Sequence, residues 1–509
     1  MAKRTKPGTK NVHITPSLAA SSVERKERKE RKRRKTTEER RQPPQSQASP
    51  IQHASHPRIV APSTSRVRQR VFVFGDGDCG QLGLGEDVTE KLRPGLLEID
   101  DTQSVLQVVC GGMHTLALME DGTVYSWGVN DEGALGRRTP DKVWTEVSES
   151  SFGSIKASFS GDNLSLLTSG GDPYTPGRVP MPAACAGKKC VQLSAGDSHS
   201  VALFEDGSVA SWGTYRDGSG VMGFGVETHV QLVPTVVYAP DARQGRPAML
   251  SVSSGADHVC GLTGEGTVVS WGSGQQGQLG RVGVRMSERM RLQTFLVPTV
   301  VPLKARGRGV RRFVVDVACG TYSSFFLMSD GSLYACGLNN YGQLGIKGDG
   351  DDGDDGDDGD DDVSVVHVPT RVAGADGVVK VFPGQHHTLF LTSDKGLLSC
   401  GRPTYGRLGQ RGADVGSDVG SPTLAPVDGD ALEGRRVAGA AAGLAVSGCF
   451  DTEGNAYTWG FGTSNQLIKG DDDEDEVVMK KVASTKRFQA NVVGMDFGGQ
   501  HGAMVAYDR

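Results

Sequence analysis

The sequence predicts an all-β fold, a seven-bladed β-propeller that extends from Val71 to the end of the chain and follows a disordered basic N-terminal tail. Three observations lead to this prediction. A short block recurs seven times, a second motif recurs out of phase with it, and the repeat region begins and ends in mid-unit. Self-similarity of this kind is typical of repeat architectures, in which each unit buries its apolar face against its neighbours.

The first block consists of an apolar strand, an aromatic residue or Cys followed by Gly, a polar turn, and Leu-Gly. Its starts lie 53 to 85 residues apart, so insertions vary in length while the motif returns. The seven instances are VFVFGDGDCGQLGLG from Val71, VYSWGVNDEGALG from Val124, VASWGTYRDGSGVMG from Val209, VVSWGSGQQGQLG from Val268, LYACGLNNYGQLG from Leu333, LLSCGRPTYGRLG from Leu397 and AYTWGFGTSNQLI from Ala456.

The second motif is a small residue, Gly, two variable residues, often His, and then an apolar strand. A polar turn such as Glu-Asp-Gly follows all but the last copy and predicts a β-hairpin with Gly at a position of positive φ. Every unit then supplies about four short strands, and seven four-stranded antiparallel sheets are typical of a propeller. The copies are CGGMHTLAL from Cys110, AGDSHSVAL from Ala195, SGADHVCGL from Ser254, CGTYSSFFL from Cys319, PGQHHTLFL from Pro383, AGLAVSGCF from Ala442 and GGQHGAMVAY from Gly498.

The phase of the repeats predicts how the ring closes. The region begins with the strand at Val71 and finishes with GGQHGAMVAY, the half-unit that should precede that strand. One blade should therefore combine N-terminal and C-terminal strands, which removes the exposed edges that an open array would leave.

The N-terminal tail, residues 1–70, contains 19 Lys/Arg and 5 Asp/Glu and has no sustained apolar periodicity. Such a segment cannot bury enough apolar surface to fold, so we expect it to be disordered and to bind a polyanion. Its RKRRK stretch is typical of a nuclear import signal, read by an import receptor, or of a nucleic-acid contact, while a solubilising tail is the alternative. That stretch is Arg31, Lys32, Arg33, Arg34 and Lys35.

Nine scattered Cys without a Cys-x-x-Cys pair favour a reducing, intracellular compartment. No apolar stretch approaches the roughly 18 residues of a membrane span, so we expect no membrane contact. Although the chain has eleven His, no Cys/His spacing matches a zinc site, and we expect neither a metal nor a cofactor.

The paired Leu-Gly and Gly-x-x-His blocks resemble the repeats of the regulator of chromosome condensation family over about Val71 to Asp508. The closest stretches include GDGDCGQLGLGE, SAGDSHSVALFEDG, WGTYRDGSGVMG and GSGQQGQLGR. The resemblance implies a monomeric seven-bladed propeller in the nucleus, bound to chromatin. One face would bind the small GTPase Ran and promote exchange of GDP for GTP without covalent chemistry, and the other would bind nucleosomes.

The third block departs from the others because a longer stretch replaces its short turn. By resemblance this stretch is a β-wedge that presses against the phosphate-binding region of Ran; a long surface turn is the alternative. Its residues are Tyr215, Arg216, Asp217, Gly218, Ser219, Gly220, Val221 and Met222. The resemblance also assigns Asp197 and Asp257 to carboxylates important in exchange.

Further residues are expected on the Ran-binding face, where the loops of a propeller surround the mouth of the central channel. The alternative for each repeated His is a structural role, bonding backbone in its own turn. The residues are Asp78, His114, Arg281, His386, His387 and His501. The sequence leaves open which of His386 and His387 faces the partner.

Chromatin contacts are implied by two basic stretches after the fourth block, although solvated loop charge is the alternative for both. Arg285, Arg289 and Arg291 resemble a loop that enters the acidic patch of the histone surface, because the Arg fork pairs with carboxylates bidentately. Lys304, Arg306 and Arg308 should meet the phosphates of nucleosomal DNA. The acidic insert from Asp349 to Asp362 has no counterpart in the family pattern and should lie away from DNA.

Two other functions remain to be weighed. A propeller of this kind could bind chromatin as a scaffold without exchange activity, since one fold hosts many sites. A photoreceptor of the same fold would need a cluster of Trp on one face. Four of the five Trp here occupy the Trp-Gly strand position of the blocks instead: Trp127, Trp212, Trp271 and Trp459.

Overall fold

The computed structural model describes residues 67–139, 171–281, 288–303, 312–347, 364–470, 473–482 and 488–508. Seven four-stranded antiparallel sheets and one separate two-stranded hairpin make up the fold. The prediction of a seven-bladed β-propeller is therefore confirmed. None of the helices in these ranges is long and apolar enough to cross a membrane.

We number the blades in chain order from the first strand. The strands of blades 1 to 4 are β1 (Arg70–Asp76), β2 (Glu90–Leu97), β29 (Ala490–Phe497) and β30 (His501–Asp508) in blade 1; β3 (Val105–Cys110), β4 (His114–Met119), β5 (Val124–Gly128) and β6 (Gly177–Arg178) in blade 2; β7 (Cys190–Ala195), β8 (His199–Phe204), β9 (Val209–Gly213) and β12 (Gln231–Tyr238) in blade 3; and β13 (Met249–Ser254), β14 (His258–Thr263), β15 (Val268–Gly272) and β16 (Thr299–Val300) in blade 4.

The remaining blades repeat the pattern of three strands from the two motifs and one outer strand. Their strands are β17 (Val314–Gly320), β18 (Ser323–Met328), β19 (Leu333–Leu338) and β20 (Val365–Arg371) in blade 5; β21 (Val378–Pro383), β22 (His387–Thr392), β23 (Leu397–Gly401) and β24 (Ser421–Pro426) in blade 6; and β25 (Val437–Ala442), β26 (Val446–Asp451), β27 (Ala456–Gly460) and β28 (Glu476–Lys481) in blade 7. The separate hairpin is formed by β10 (Tyr215–Asp217) and β11 (Gly220–Gly223). Within the described residues, the α-helix α1 (Glu288–Phe295) follows block 4.

Blade 1 joins the two ends of the repeat region. Strand β1 pairs antiparallel with β30 from Arg70 opposite Ala506 to Gly75 opposite His501. The blade therefore has the strand order β2-β1-β30-β29, with two strands from each end. This pairing closes the ring in the way that the phase of the repeats predicts.

The hairpin turns between the second and third strands mostly follow the sequence prediction. Gly122, Gly207, Gly266, Gly331 and Gly454 adopt φ between 75° and 90°, where a side chain would be strained. Blade 6 differs, because Lys395, one residue before Gly396, takes the positive φ of 70°.

The Trp of the first block are core residues that tie neighbouring blades together. All four are at most 1% exposed, so no Trp cluster lies on a face of the described propeller. The indole N–H groups of Trp127, Trp212 and Trp459 donate to block-turn carbonyls of the preceding blade, at 3.0, 2.7 and 3.0 Å. The acceptors are the carbonyls of Gln81, Ala134 and Arg407.

The Gly of the second motif permits the blades to meet at one mouth of the central channel. Backbone N–H groups of these loops donate to carbonyls of the next blade around the ring. Six of the seven joins have such a bond, at 2.8 to 3.2 Å: Gly499 to Gly112, Gly112 to Gly196, Asp197 to Ala256, Ala256 to Thr321, Thr321 to Gly384 and Gln385 to Gly443. A Cβ on Gly255 would lie 2.2 Å from the carbonyl oxygen of Gly320, so only Gly fits.

The His of the second motif forms a further bond between blades, which we call the latch. Its Nε2 lies within hydrogen-bond distance of a hydroxyl in the next blade, and that hydroxyl donates onward to a block-turn carbonyl, so the imidazole N–H is the donor. Four joins have a latch: His114 to Ser200 at 2.9 Å, His258 to Ser324 at 2.8 Å, His387 to Ser447 at 2.7 Å and His501 to Thr115 at 2.8 Å.

The latch corrects the prediction that His114, His387 and His501 contact Ran. Each is at most 1% exposed, so none can touch a protein partner directly. Burial lowers the pKa of His114 to about 4 and that of His501 to about 3, which keeps both rings neutral. The alternative interpretation, a structural role, agrees with the structure. The rings bond a hydroxyl of the next blade, however, and not the backbone of their own turn.

Replacing Gly255 by Ala should destabilise the propeller by about 1–3 kcal/mol, because the new Cβ overlaps a backbone carbonyl that cannot rotate away. Urea denaturation would measure the change in the free energy of unfolding. The matched control is Gly171→Ala, where a Cβ meets nothing within 4 Å. Equal stabilities of the two variants would contradict the close-contact explanation.

Candidate functional site

The loops of both motifs lie at the same end of the blades, which we call the upper face. In each blade the first strand ends there, the second begins there, and the third ends there, because the three are antiparallel. The Gly-x-x-His loops thus surround the channel mouth, and the block turns lie outside them. All predicted exchange residues belong to these two loop types.

The third block forms the hairpin β10–β11 on this face. Tyr215 pairs with Gly223, Arg216 with Val221 and Asp217 with Gly220. A further bond, from the N–H of Ser219 to Asp217 Oδ1 at 2.8 Å, closes the turn. The stretch predicted as a wedge is thus a two-stranded projection outside the blades, rather than an irregular turn.

The base of the hairpin is built into the core. Tyr215 is 1% exposed, and its hydroxyl accepts a 2.8 Å hydrogen bond from the indole N–H of Trp271 in blade 4. Its ring lies 4.7 Å from that of His199 and stacks with Phe224 at 6.1 Å. Burial raises the pKa of Tyr215 well above its ordinary value, so the hydroxyl remains protonated.

The tip of the hairpin is held by side chains of two other blades. The backbone N–H of Arg216 donates to Asp257 Oδ1 at 2.6 Å, and that of Gly218 donates to Gln275 Oε1 at 2.9 Å. Both acceptors belong to blade 4. On the other side, the Arg216 guanidinium pairs with the carboxylate of Glu132 in blade 2.

Two of the carboxylates beside the hairpin have raised pKa values. Loss of hydration is the main cause at Asp257, whose pKa is about 7; the Arg216 N–H opposes this effect and the negative charge of Asp197 adds to it. The pKa of Asp197 is also raised, mainly by desolvation, with Arg216 opposing and Glu132 adding. Asp197 nevertheless has an exposed side chain, so it is available to a partner.

A second part of the upper face, on blades 5 and 6, is aromatic and cationic. His386 is partly exposed and packs edge-to-face on Tyr341 with ring centroids 5.0 Å apart. Arg402 lies over the same Tyr341 ring at 4.8 Å and bonds Asp418 at 2.7 Å. Burial, with nearby Arg407 and Arg402, lowers the pKa of His386 to about 4. Since His387 is fully buried, His386 is the one of the pair that reaches the surface.

Arg281 is partly exposed and bonds its own blade and the segment that follows it. Its guanidinium bonds Ser270 Oγ at 3.0 Å and also the carbonyls of Ser270 and Phe295, all within blade 4 and the segment after it. Burial lowers its pKa to about 10. Arg137 bonds Ser126 in the same way in blade 2. These bonds give Arg281 a structural part in blade 4, and its contact with Ran stays a prediction.

The other predicted residues divide between exposed positions and undescribed segments. Asp78 is exposed on the block turn of blade 1. Arg289 and Arg291 lie in helix α1. The remaining nucleosome-binding and import residues, and the insert 349–362, lie outside the described residues: Arg285, Lys304, Arg306, Arg308, Arg31, Lys32, Arg33, Arg34 and Lys35.

One group of metal-ligating side chains occurs within the described part of the chain. His258, Cys260 and Cys319 bring one ligand atom each within 4.8 Å of one another. The Ser324 hydroxyl lies among them, 2.8 Å from the His258 ring nitrogen and 3.5 and 3.7 Å from the two sulfurs, and it donates to the Gln278 carbonyl. The same His–hydroxyl pair joins other blades, as at His114–Ser200 and His387–Ser447, outside any such group of ligands in the described residues. We therefore assign the cluster to the latch.

Sequence reasoning did not find Glu132, Gln275 or the contact of Trp271 with Tyr215. The available signal was weak: Glu132 and Gln275 occupy the turns of the blocks before and after the irregular third block. Whether these side chains contact the hairpin depends on which block turns lie next to it in the folded ring.

Comparison with protein families and known proteins shows one consistent relationship. The RCC1-like domain family matches residues 70–504. The regulator of chromosome condensation of Xenopus laevis is 33% identical over 461 residues, covering 89% of this chain and 93% of the relative. The guanine nucleotide exchange factor SRM1 of Saccharomyces cerevisiae is 33% identical, with 84% and 86% covered.

Solved structures support the same relationship. Prp20p of Saccharomyces cerevisiae, described together with its binding to Gsp1p and histones, is 31% identical with a TM-score of 0.71, over 87% of this chain and 93% of that one. Yeast RCC1 (Prp20) bound to Kap60 matches with a TM-score of 0.70 at 31% identity, over 87% of this chain and 90% of that one.

Replacing Asp257 by Asn should change how stability depends on pH. Because folding raises the pKa of Asp257 from 3.8 to about 7, the folded chain binds this proton more tightly, and stability is lost as pH rises through that window. Asp257→Asn should therefore gain stability relative to the wild type from about pH 4 to pH 7 and show a constant difference above it. Urea titrations from pH 5 to 8 would measure this.

The control is Val221→Ala, which alters the same hairpin without a titrating group. Its difference from the wild type should not vary with pH. A relative gain by Asp257→Asn toward low pH would show the opposite sign and contradict the assignment.

Proposed function

The chain belongs to the regulator of chromosome condensation family, and from this premise we propose that it is a guanine-nucleotide exchange factor for the small GTPase Ran. It would promote release of GDP and loading of GTP in the nucleus. The single observation that carries the proposal is the hairpin β10–β11, which projects from the upper face and is fixed at its base and tip by other blades.

An exchange factor accelerates release by binding the nucleotide-free GTPase better than the loaded one. GTPases hold the nucleotide through backbone N–H groups, a Lys and Mg²⁺ around the phosphates. A projection that inserts into that region must displace these contacts, and it must be rigid enough to keep its own conformation. The hairpin suits this task because the buried ring of Tyr215 anchors it, while Gly218, Ser219 and Val221 remain exposed at its tip.

Charge supports the same use of the upper face. Asp78, Glu132, Asp197 and Asp257 make blades 1 to 4 acidic there, and Arg216 is paired within this group. Such a surface would attract a basic surface of the partner and speed encounter. On this proposal Asp257 acts chiefly by holding the backbone of Arg216, whereas Asp197 and Asp78 are available for direct contact.

The names of the relatives support the proposal. SRM1 is named as a guanine nucleotide exchange factor, and the Prp20p structure concerns binding to Gsp1p and histones. By analogy we propose that this chain binds histones as well, with Arg285, Arg289 and Arg291 on the histone acidic patch and Lys304, Arg306 and Arg308 on DNA. The Kap60 complex of Prp20 supports recognition of residues Arg31 to Lys35 by an import receptor.

At pH 8, where the Asp257 carboxyl is ionised, Asp257→Ala should reduce catalysed GDP release from Ran at least tenfold, since a charge-assisted hydrogen bond is worth about 1.5–3 kcal/mol. Asp257→Asn should lose less, because its amide oxygen can still accept the Arg216 N–H. Release of a fluorescent GDP analogue under single-turnover conditions would measure both. A wild-type protein that binds nucleosomes without accelerating GDP release would instead be a chromatin scaffold and would overturn the proposal.

Combined replacement of Arg289 and Arg291 by Ala should weaken nucleosome binding about tenfold and leave GDP release unchanged, because α1 follows block 4 outside the hairpin. Binding to reconstituted nucleosomes at fixed salt would test this. The control is Arg435→Ala, whose charge is already paired with Glu433 and Glu453. Equal binding by the two variants would contradict the acidic-patch assignment.

A further inference from the structure

Hairpin β10–β11 lacks the Gln that supports several other block turns, and the side-chain bond within its turn is the short Asp217–Ser219 contact at its tip. In blocks 1, 4 and 5 a Gln at the end of the turn accepts a backbone N–H from inside the same turn. These acceptors are Gln81, Gln278 and Gln343, each at 2.9 Å. The third block contains no Gln. A two-stranded hairpin with three paired positions is at best marginally stable alone.

The missing support comes from the two adjacent blades. Gln275 Oε1, on the block turn of blade 4, accepts the N–H of Gly218 at 2.9 Å. Glu132, on the block turn of blade 2, pairs with the guanidinium of Arg216. These contacts hold opposite sides of a tip whose residues are otherwise exposed, with Val221 43% exposed.

Neither contact is explained by a need of the blade that supplies it. The turn of blade 4 is already closed by Gln278, and the turn of blade 2 by Asn130, whose Oδ1 accepts the N–H of Leu135 at 3.1 Å. Gln275 is exposed, so removing its amide leaves the core intact. The two side chains therefore act on the hairpin, and their effect is to fix its direction.

We propose that Gln275 and Glu132 are positioning residues for nucleotide exchange, which hold the tip of hairpin β10–β11 from blades 4 and 2 in the direction presented to the GTPase. This proposal rests on the proposed exchange function. A tip that must push phosphate-binding groups aside gains from being fixed beforehand, because ordering it during encounter would cost binding energy.

The experiment compares Gln275→Leu, which removes the acceptor, with Gln275→Glu, which keeps one, and Glu132→Ala. The control is Gln244→Leu, on an exposed Gln that follows β12 at the end of blade 3 opposite the hairpin. The maximal rate of catalysed GDP release from Ran should fall about 3- to 10-fold for Gln275→Leu and Glu132→Ala. The KM of the same variants should change less than about twofold. Gln275→Glu should restore most of the rate, and Gln244→Leu should match the wild type.

A second readout uses the isolated full-length protein and does not depend on Ran. Amide hydrogen exchange of residues 215–223 should become faster in Gln275→Leu and Glu132→Ala, and stay near the wild-type rate in Gln275→Glu. Unchanged amide exchange in Gln275→Leu would overturn the anchoring. Faster amide exchange with an unchanged rate of GDP release would overturn the positioning role. If the wild type releases no GDP from Ran, the proposed function fails, while the amide exchange still decides whether these residues anchor the hairpin.

Discussion

Close approach of the blades at the mouth of the channel is the constraint on which the rest of the structure depends. Six joins carry a backbone hydrogen bond between neighbouring Gly-x-x-His loops, and the space for it exists only because the motif has Gly there. The ring is thereby fixed at its upper face, and the loops around the mouth become a rigid platform. Any site on this face inherits that rigidity.

The candidate site lies where the regular bonding between blades is interrupted. His199 has no hydroxyl to bond, because the position after His258 is Val259 rather than Ser or Thr. Its ring packs on Tyr215 instead, and Trp271 donates to the Tyr215 hydroxyl where other indoles donate to a block-turn carbonyl. The hairpin thus takes the place of two regular contacts, which fastens an irregular segment to a regular scaffold.

Periodicity explains which predictions from the sequence succeeded. The seven blades and the joined blade 1 could be predicted because every unit repeats the same apolar and Gly pattern. The same periodicity led to the wrong prediction that His114, His387 and His501 contact the partner. A repeated His near a loop is compatible with either the surface or the core, and only the position of the next blade's hydroxyl places these rings inside. The hydrogen bonds of Arg281 could not be predicted either, since its partners lie up to sixteen residues away.

The sequence by itself determined the fold, the closure of the ring and the irregular third block, because these follow from local patterns of apolar residues, Gly and turn residues. Only the tertiary structure decided which side chains surround that block. Asp257, Gln275 and Glu132 meet the hairpin because the ring brings blades 2, 3 and 4 together, at separations of 41, 57 and 84 residues along the chain. Contacts between residues so far apart in the chain depend on how the blades are spaced in the closed ring, and no local sequence pattern encodes that spacing.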